Sequence, residues 1–210
     1  MDVDEAHEIV SRLRQRLARP GSRFLLNMPY ATTENEESVF GIQSRPAAVL
    51  VPLVLHEHRK DGLTVLFTRR TNHLSHHPGQ ISFPGGGMEE DDSSPEETAV
   101  REAEEEIGLA PERVELIGRL PDYLTGTGFR ITPIVGLLHS PIKLKLDSFE
   151  VAEAFEVPLS HFLDPANHCM HSVRIKSGEI RLFHAVPYGD YFIWGATASM
   201  LMMLYRLLAE

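Results

Sequence analysis

The stretch Phe83–Leu109, FPGGGMEEDDSSPEETAVREAEEEIGL, decides how the rest of the chain is read. A glycine run opens into an acidic helix that ends at Gly108. Ser94 is placed to cap the helix, Pro95 suits its first turn, and Glu97 completes a capping box with Ser94. Gly108 suits the left-handed C-terminal position. Between these ends Ala99, Val100, Ala103 and Ile107 fall on one side at helical spacing. That side should pack on a sheet, and its two alanines allow close approach. Glu102, Glu105 and Glu106 are related by i, i+3 and i, i+4, so they cluster beside the apolar stripe. Glu104 points away from them.

Adjacent carboxylates repel, at about 0.2–0.5 kcal/mol per pair on a helix. One reading is a solvated glutamate face. The other is a site for a hard divalent cation, because Mg²⁺ takes carboxylate oxygens and keeps several waters. Three features favour the second. The acids follow Gly85-Gly86-Gly87 closely. Arg101 stands four residues before Glu105, where it can orient that carboxylate. Pro84 and the glycines predict a rigid bend that brings backbone N–H groups, those of Gly85 and Gly86 among them, near the helix start, a place suited to phosphate.

Arg101–Leu109, REAEEEIGL, resembles the second half of the Nudix box, REUXEEXGU with U aliphatic. The first half departs from the usual spacing. Counting back from Arg101 to Gly87 puts Ser93 where the box has its first glutamate. Starting from Gly86 puts Asp92 there, with one extra residue before Arg101.

Composition narrows the setting. The chain has 210 residues, 42% hydrophobic and 24% charged, enough for one sizeable core. Its lone cysteine, Cys169, predicts a reducing compartment, and the acidic start MDVDEAHEIV lacks the basic region of a signal peptide, so a cytoplasmic location is expected. No apolar run is long enough to span a membrane. A formal net charge of −10 argues against a nucleic-acid partner. It also disfavours an anionic substrate unless metal ions supply positive charge.

Residues 4–19 read as an amphipathic helix with Ala6, Ile9, Val10, Leu13 and Leu17 on one side, stopped by Pro20 and Gly21. Residues 22–46 read as a surface wrap. Ala47–His56 is a strand in which Pro52 predicts an edge position or a bulge. Gly62–Thr68 pairs with it as a hairpin through Arg59-Lys60-Asp61-Gly62. Ile81–Phe83, Val114–Leu120 and Ile131–His139 read as further strands, with Asp122–Arg130 a loop. Glu150–Val157 leads into Pro158 and a short helical turn, Leu159–Leu163; Val173–Ile175 and Ile180–Val186 pair around Ser177-Gly178. Lys143 and Lys145 alternate with Leu144 and Leu146 as the wet side of a strand. Gly195–Leu208, with Met200, Met202 and Met203, reads as a core helix or a dimer face, which leaves a homodimer open. Together these predict an α/β fold with a mixed sheet covered on both faces, in agreement with the α/β/α sandwich of the Nudix family. The expected division is an N-terminal helix and wrapping segment over 1–46 and a Nudix hydrolase domain, with the C-terminal helix, over 47–210.

Leu66–Gly86, LFTRRTNHLSHHPGQISFPGG, is similar to the signature that precedes the box in Nudix coenzyme A pyrophosphatases. Leu66, Thr68, Arg70, Gly79 and Phe83-Pro84-Gly85-Gly86 match its spacing; Ser75 stands where the pattern has arginine. Read as chemistry, Arg69, Arg70, His73, His76 and His77 are a local run of phosphate donors in an acidic protein. A zinc site from the three histidines competes but lacks a cysteine partner or a helical register. Gln80 is either structural or substrate-facing.

The resemblance implies a Mg²⁺- or Mn²⁺-dependent diphosphate hydrolase acting on a small nucleotide, with coenzyme A or a derivative as substrate. It implies Glu102 and Glu106 as metal ligands with Glu105 close to them, and Arg101 as an orienting partner. Arg69, Arg70, His77, Gly79, Gln80, Gly85 and Gly86 are the implied substrate contacts. Glu150 opens EVAEAFEVPL, which resembles the segment carrying a later Nudix glutamate, so Glu150 is the candidate base or extra ligand and Glu153 the runner-up. The alternatives are another nucleoside diphosphate substrate, such as ADP-ribose or a dinucleotide, and a non-catalytic nucleotide-binding module.

Overall fold

The structure, a computed structural model, describes residues 1–18, 44–74, 77–174, 178 and 180–209. Most of the expected surface wrap, the helix stop at Pro20 and Gly21, and Ser75, His76, Ile175 and Ser177 lie outside the described residues. In chain order the elements are α1 (Val3–Leu17), β1 (Arg45–Leu55), β2 (Leu63–Arg70), β3 (Ile81–Ser82), β4 (Gly85–Gly87), α2 (Pro95–Ile107), β5 (Glu115–Arg119), β6 (Tyr123–Leu124), β7 (Phe129–His139), β8 (Val151–Pro158), α3 (Leu159–Leu163), β9 (Cys169–Arg174), β10 (Ile180–Tyr188), β11 (Tyr191–Trp194) and α4 (Gly195–Ala209).

β1 is apolar almost throughout because both its faces are covered. It pairs in parallel with β7 and antiparallel with β2, inside the order β3-β2-β1-β7-β5; β4 adds to β1, β6 to β7 and β8 to β2. The sheet is therefore mixed. A second sheet, β9-β10-β11, stands apart from it. One face of the main sheet packs on α2 through Ala48, Leu50, Leu66, Ala99, Ala103, Ile107 and Ile134. The other packs on α1, α3 and α4 through Ile9, Leu13, Leu53, Phe67, Phe162 and Met203. Met200 and Met202 are buried in that same core. Helix α1 closes on α4: Arg12 donates to the Leu208 carbonyl and Arg16 to that of Leu207. Among the described residues no helix is long and apolar enough to cross a membrane.

Several local expectations change. Pro52 lies in the central strand, not at an edge. The Leu50 N–H donates to the Pro84 carbonyl, so the nitrogen of Pro52, two residues on, faces the same side. There β4 pairs only up to Val49 and β2 only from Leu53. The proline thus occupies the gap, where no donor is needed. The glycine run is not a bend at the helix start: Gly85–Gly87 is strand β4, paired with Ala47–Val49. Residues 143–146 are extended but unpaired; Ile142, Leu144 and Leu146 pack beside α2 while Lys143 and Lys145 stay exposed. Tyr123 and Leu124, expected in a loop, pair with β7.

Helix α2 begins as its sequence requires. The Ser94 hydroxyl accepts from the Glu97 N–H at 3.3 Å, but the Glu97 carboxylate reaches Ser93, one residue further back than a capping box needs. Gly108 takes φ 66°, and the N–H groups of Lys145 and Asp147 cap the Ile107 and Glu106 carbonyls at 2.8 and 2.9 Å. The buried stripe is Thr98, Ala99, Ala103, Glu106 and Ile107; Val100 is only half-buried.

β4 tests this packing. Gly85 has φ 155°, and a Cβ there would stand 2.6 Å from the Val49 Cα and overlap the Ala48 carbonyl oxygen. Gly87 meets nothing within 4 Å. Gly85→Ala should destabilise by about 2–3 kcal/mol or more, and Gly87→Ala by under about 1 kcal/mol. Urea-denaturation midpoints of the two variants measure the contrast.

Candidate active site

Four elements deliver the polar groups. Along β2, Leu66 belongs to the α2-side core and Phe67 to the other, so Arg70 falls on the α2 side and Arg69 on the opposite side. A register shift in the β2–β8 pairing lies between these two arginines. Helix α2 contributes Arg101, Glu102, Glu105 and Glu106; β4 contributes Gly85 and Gly86. The turn before β8 contributes Glu150.

Glu106 faces the sheet and is 5% exposed. Its Oε1 lies 3.7 Å from Arg70 Nη1, and its buried Oε2 has no hydrogen-bond partner. Burial pushes its carboxyl up to about 8, with Glu102 and Glu150 adding to the rise and Arg70 and the Gly85 N–H opposing it. Glu102 is also raised, chiefly by burial, with Arg101 pulling the other way. Its carboxylate lies against Gly86, where a Cβ would come within 2.6 Å of its Cδ. Glu105 is turned outward, its side chain 60% exposed, with Oε2 3.2 Å from Arg101 Nη1. Glu150 is 43% exposed and stands 3.9 Å from Arg70 Nη2.

Arg101 is saturated. It grips Asp92 through Nε at 3.0 Å and Nη2 at 2.9 Å, and donates to the Gly87 carbonyl at 3.2 Å and to Glu102 at 3.1 Å. Asp92 is buried and also accepts from the Thr98 hydroxyl and the Glu89 N–H, both at 2.9 Å. The Arg101 guanidinium holds its carboxyl far below the usual range, and Asp92 in turn raises Arg101. The ambiguous acid in the glycine-to-helix spacing is thus the residue that fixes Arg101. The inserted residue is absorbed by a turn in which the Asp92 N–H donates to the Glu89 carbonyl.

Not every expected residue joins this row. Arg69 pairs with Glu153 at 2.7 Å, and Tyr191 donates to Glu153 at 2.6 Å. That trio lies on the sheet face away from the Glu106–Arg70–Glu150 row. His77 is exposed at φ 52°, and its carbonyl accepts from the Gln80 N–H at 3.2 Å. Gly79 has its open side against Asn72 Oδ1, and the Gln80 carbonyl accepts from the Arg70 N–H at 3.0 Å. These three shape the turn that returns the chain to Arg70.

The residues fit a hard cation. Every side-chain donor on offer is a carboxylate oxygen, one of them buried and unpartnered, and Gly86 leaves the space beside Glu102 clear. Among the described residues no group of three His, Cys, Asp or Glu side chains is arranged to hold a metal ion by itself. That agrees with an ion taking one or two carboxylates and completing its shell with water and substrate phosphate.

The model of the NUDIX domain family matches residues 44–168. The Nudix hydrolase NudL of Enterobacter sp. (strain 638) is 38% identical over 163 residues, covering 78% of this chain and 82% of that protein. That of Salmonella paratyphi B is 37% identical over 183 residues, covering 87% and 90%. A solved Nudix hydrolase from Alicyclobacillus acidocaldarius aligns with a TM-score of 0.48 and 21% identity, covering 79% of this chain and 92% of that one.

Two outcomes follow from the burial of Glu106. Its carboxyl ionises near 4.5 in an unfolded chain and near 8 when folded without a cation. Between those values the folded state holds a proton the unfolded state lacks, so stability falls as pH rises through that window. In EDTA the Tm of the wild type should drop from pH 5 to pH 8, and Glu106→Gln should remove most of the drop. Added Mg²⁺ at pH 8 should raise the Tm of the wild type and not that of Glu106→Gln; thermal melts over that pH series check both. Separately, Asp92→Asn frees Arg101 and should cost about 2–3 kcal/mol, a value discounted for the part-exposed arginine and measured by urea denaturation.

Proposed function

The chain belongs to the Nudix hydrolase family, which acts on diphosphate bonds and generally uses divalent metal ions; from that premise we propose that it splits coenzyme A or a derivative into 4′-phosphopantetheine and adenosine 3′,5′-bisphosphate. The observation that carries the hydrolytic reading is the buried Glu106 carboxylate, whose Oε2 has no hydrogen-bond partner, set beside Glu102 and facing Arg70 and Glu150. Glu102 and Glu106 would hold Mg²⁺ or Mn²⁺, with Glu105 at the rim. The bound ion would polarise a bridging phosphate, make a water nucleophilic near neutral pH and neutralise the leaving group.

The protein groups divide the remaining work. Arg70 is ion-paired with Glu106 and Glu150 at 3.7 and 3.9 Å but lacks short hydrogen bonds to them, so its guanidinium would grip a phosphate in their place. Arg101 is spent on Asp92, Gly87, Glu102 and Glu105 and so orients carboxylates. Glu150 is exposed enough to meet a water and take its proton, whereas Glu153 is engaged by Arg69 and Tyr191. The coenzyme A assignment is supported by Leu66, Thr68, Arg70, Gly79 and Phe83–Gly86, which follow the coenzyme A pyrophosphatase pattern. Ser75, in place of that pattern's arginine, favours a second reading, a different nucleoside diphosphate derivative such as ADP-ribose or a dinucleotide.

A substrate panel with and without Mg²⁺ tests the assignment: coenzyme A, dephospho-coenzyme A, ADP-ribose and a diadenosine polyphosphate, with products identified by mass. Coenzyme A should be cleaved, with weak preference over its dephospho form. Ser75→Arg should raise that preference by about ten- to a hundredfold in kcat/KM, the worth of one charge-assisted hydrogen bond. Glu106→Gln should lower kcat by at least about 10²-fold. Glu150→Gln should lower it more than Glu153→Gln does, and the reverse ranking would move the base to Glu153. Cleavage of ADP-ribose alone would select the second reading.

A further inference from the structure

We propose that Phe149, backed by His73, is a stacking shelf for the nucleobase of the substrate. This rests on the reading of the substrate as a nucleotide derivative and assigns the place of its flat heteroaromatic part. Phe149 is 64% exposed, more than any other large hydrophobic side chain among the described residues. It belongs to neither apolar core. Its ring contact is the His73 ring, 4.9 Å away between centroids and tilted by 58°.

The ring is exposed on a fixed backbone. The Phe149 N–H donates to Asp147 Oδ1 at 3.0 Å, and its carbonyl accepts from the Thr71 hydroxyl at 2.8 Å. The Thr71 N–H donates to the Glu150 carbonyl at 2.9 Å, and Thr71 is buried. Asp147 is tied to the end of α2 by its own N–H, which donates to the Glu106 carbonyl. The shelf is therefore anchored from both sides to the elements that carry Arg70 and Glu106. Phe149 immediately precedes Glu150, and Thr71 immediately follows Arg70. With the diphosphate on Arg70, the shelf places the attached nucleoside on the ring next to Glu150 in the chain.

The chemistry selects an uncharged flat π-system. A phenyl face in water is hydrated unfavourably, and stacking an aromatic partner on it removes that apolar surface from water while costing few rotamers. The tilted His73 ring touches Phe149, whose 64% exposure leaves most of the phenyl surface open to solvent. Stacking tolerates any base, so the shelf gives affinity for a nucleoside without choosing among bases.

The experiment uses Phe149→Trp and Phe149→Leu in the full chain. AMP and ribose 5-phosphate differ only in the base. The indole introduced by Phe149→Trp, read after subtracting the Trp194 signal of the wild type, should be quenched saturably by AMP and not by ribose 5-phosphate. Phe149→Leu keeps the apolar bulk and removes the π-face. It should raise KM by about five- to a hundredfold for whichever nucleoside diphosphate derivative the wild type cleaves. An unchanged KM together with no AMP-specific quenching, in variants with wild-type circular dichroism, overturns the shelf. Wild-type protein that cleaves no nucleoside diphosphate overturns the substrate reading instead, and AMP-specific quenching in that case still supports the shelf.

Discussion

Helix α2 packs on β4 so that the Glu102 carboxylate lies directly against Gly86, where a Cβ would come within 2.6 Å of its Cδ. That approach is the constraint on which the rest of the structure depends. Ala99 and Ala103 permit it from the helix side, and Gly86 of β4 from the sheet side. Its effect is to carry Glu106, a charged residue on the buried stripe, into a place where water is excluded. A carboxylate is costly there unless a cation or a proton accompanies it. A packing decision made by small residues thus becomes an electrostatic one.

The two arginines at the site show how the chain handles that electrostatic load. Arg101 makes short contacts to Asp92, Glu102 and Glu105 and holds them in fixed positions. Arg70 sits between Glu106 and Glu150, ion-paired with both at the longer separations of 3.7 and 3.9 Å. One guanidinium is held by short hydrogen bonds and the other by longer ion pairs. The sheet itself makes a second separation, since neighbouring residues of a strand face opposite sides: Arg69 joins Glu153 and Tyr191, away from the acidic row. In a protein with a formal charge of −10, Arg70 sets a positive charge amid the carboxylates of this row.

What the sequence made legible was local. The helix from Pro95 to Ile107 announced itself through Ser94, the apolar period and Gly108, and each of these works through neighbours within a turn. Strands β1, β2 and β7 were equally plain as apolar runs. Position within the sheet was not, because it depends on partners far along the chain. Pro52 looked like an edge residue until the gap between β4 and β2 explained it. The glycine run looked like a bend because a strand without side chains has no pattern to read. Asp92 could not be assigned from spacing alone, since the turn that absorbs the extra residue is visible only in three dimensions. The opposite orientations of Arg69 and Arg70 follow from strand alternation and could have been read from Leu66 and Phe67 beforehand.

Helix α1 is fastened to the end of α4, with Arg12 holding the carbonyl of Leu208 across a sequence separation of 196 residues. This has a kinetic meaning. Contacts so distant along the chain form only after the intervening elements have found their places, and they raise the contact order on which folding rate depends. During synthesis α1 precedes α4, so the part of its surface that packs on α4 stays uncovered until that helix is made. The interval between those two events is when this chain is most exposed to chaperones and to aggregation. Among the described helices, α4 is the one that ends it.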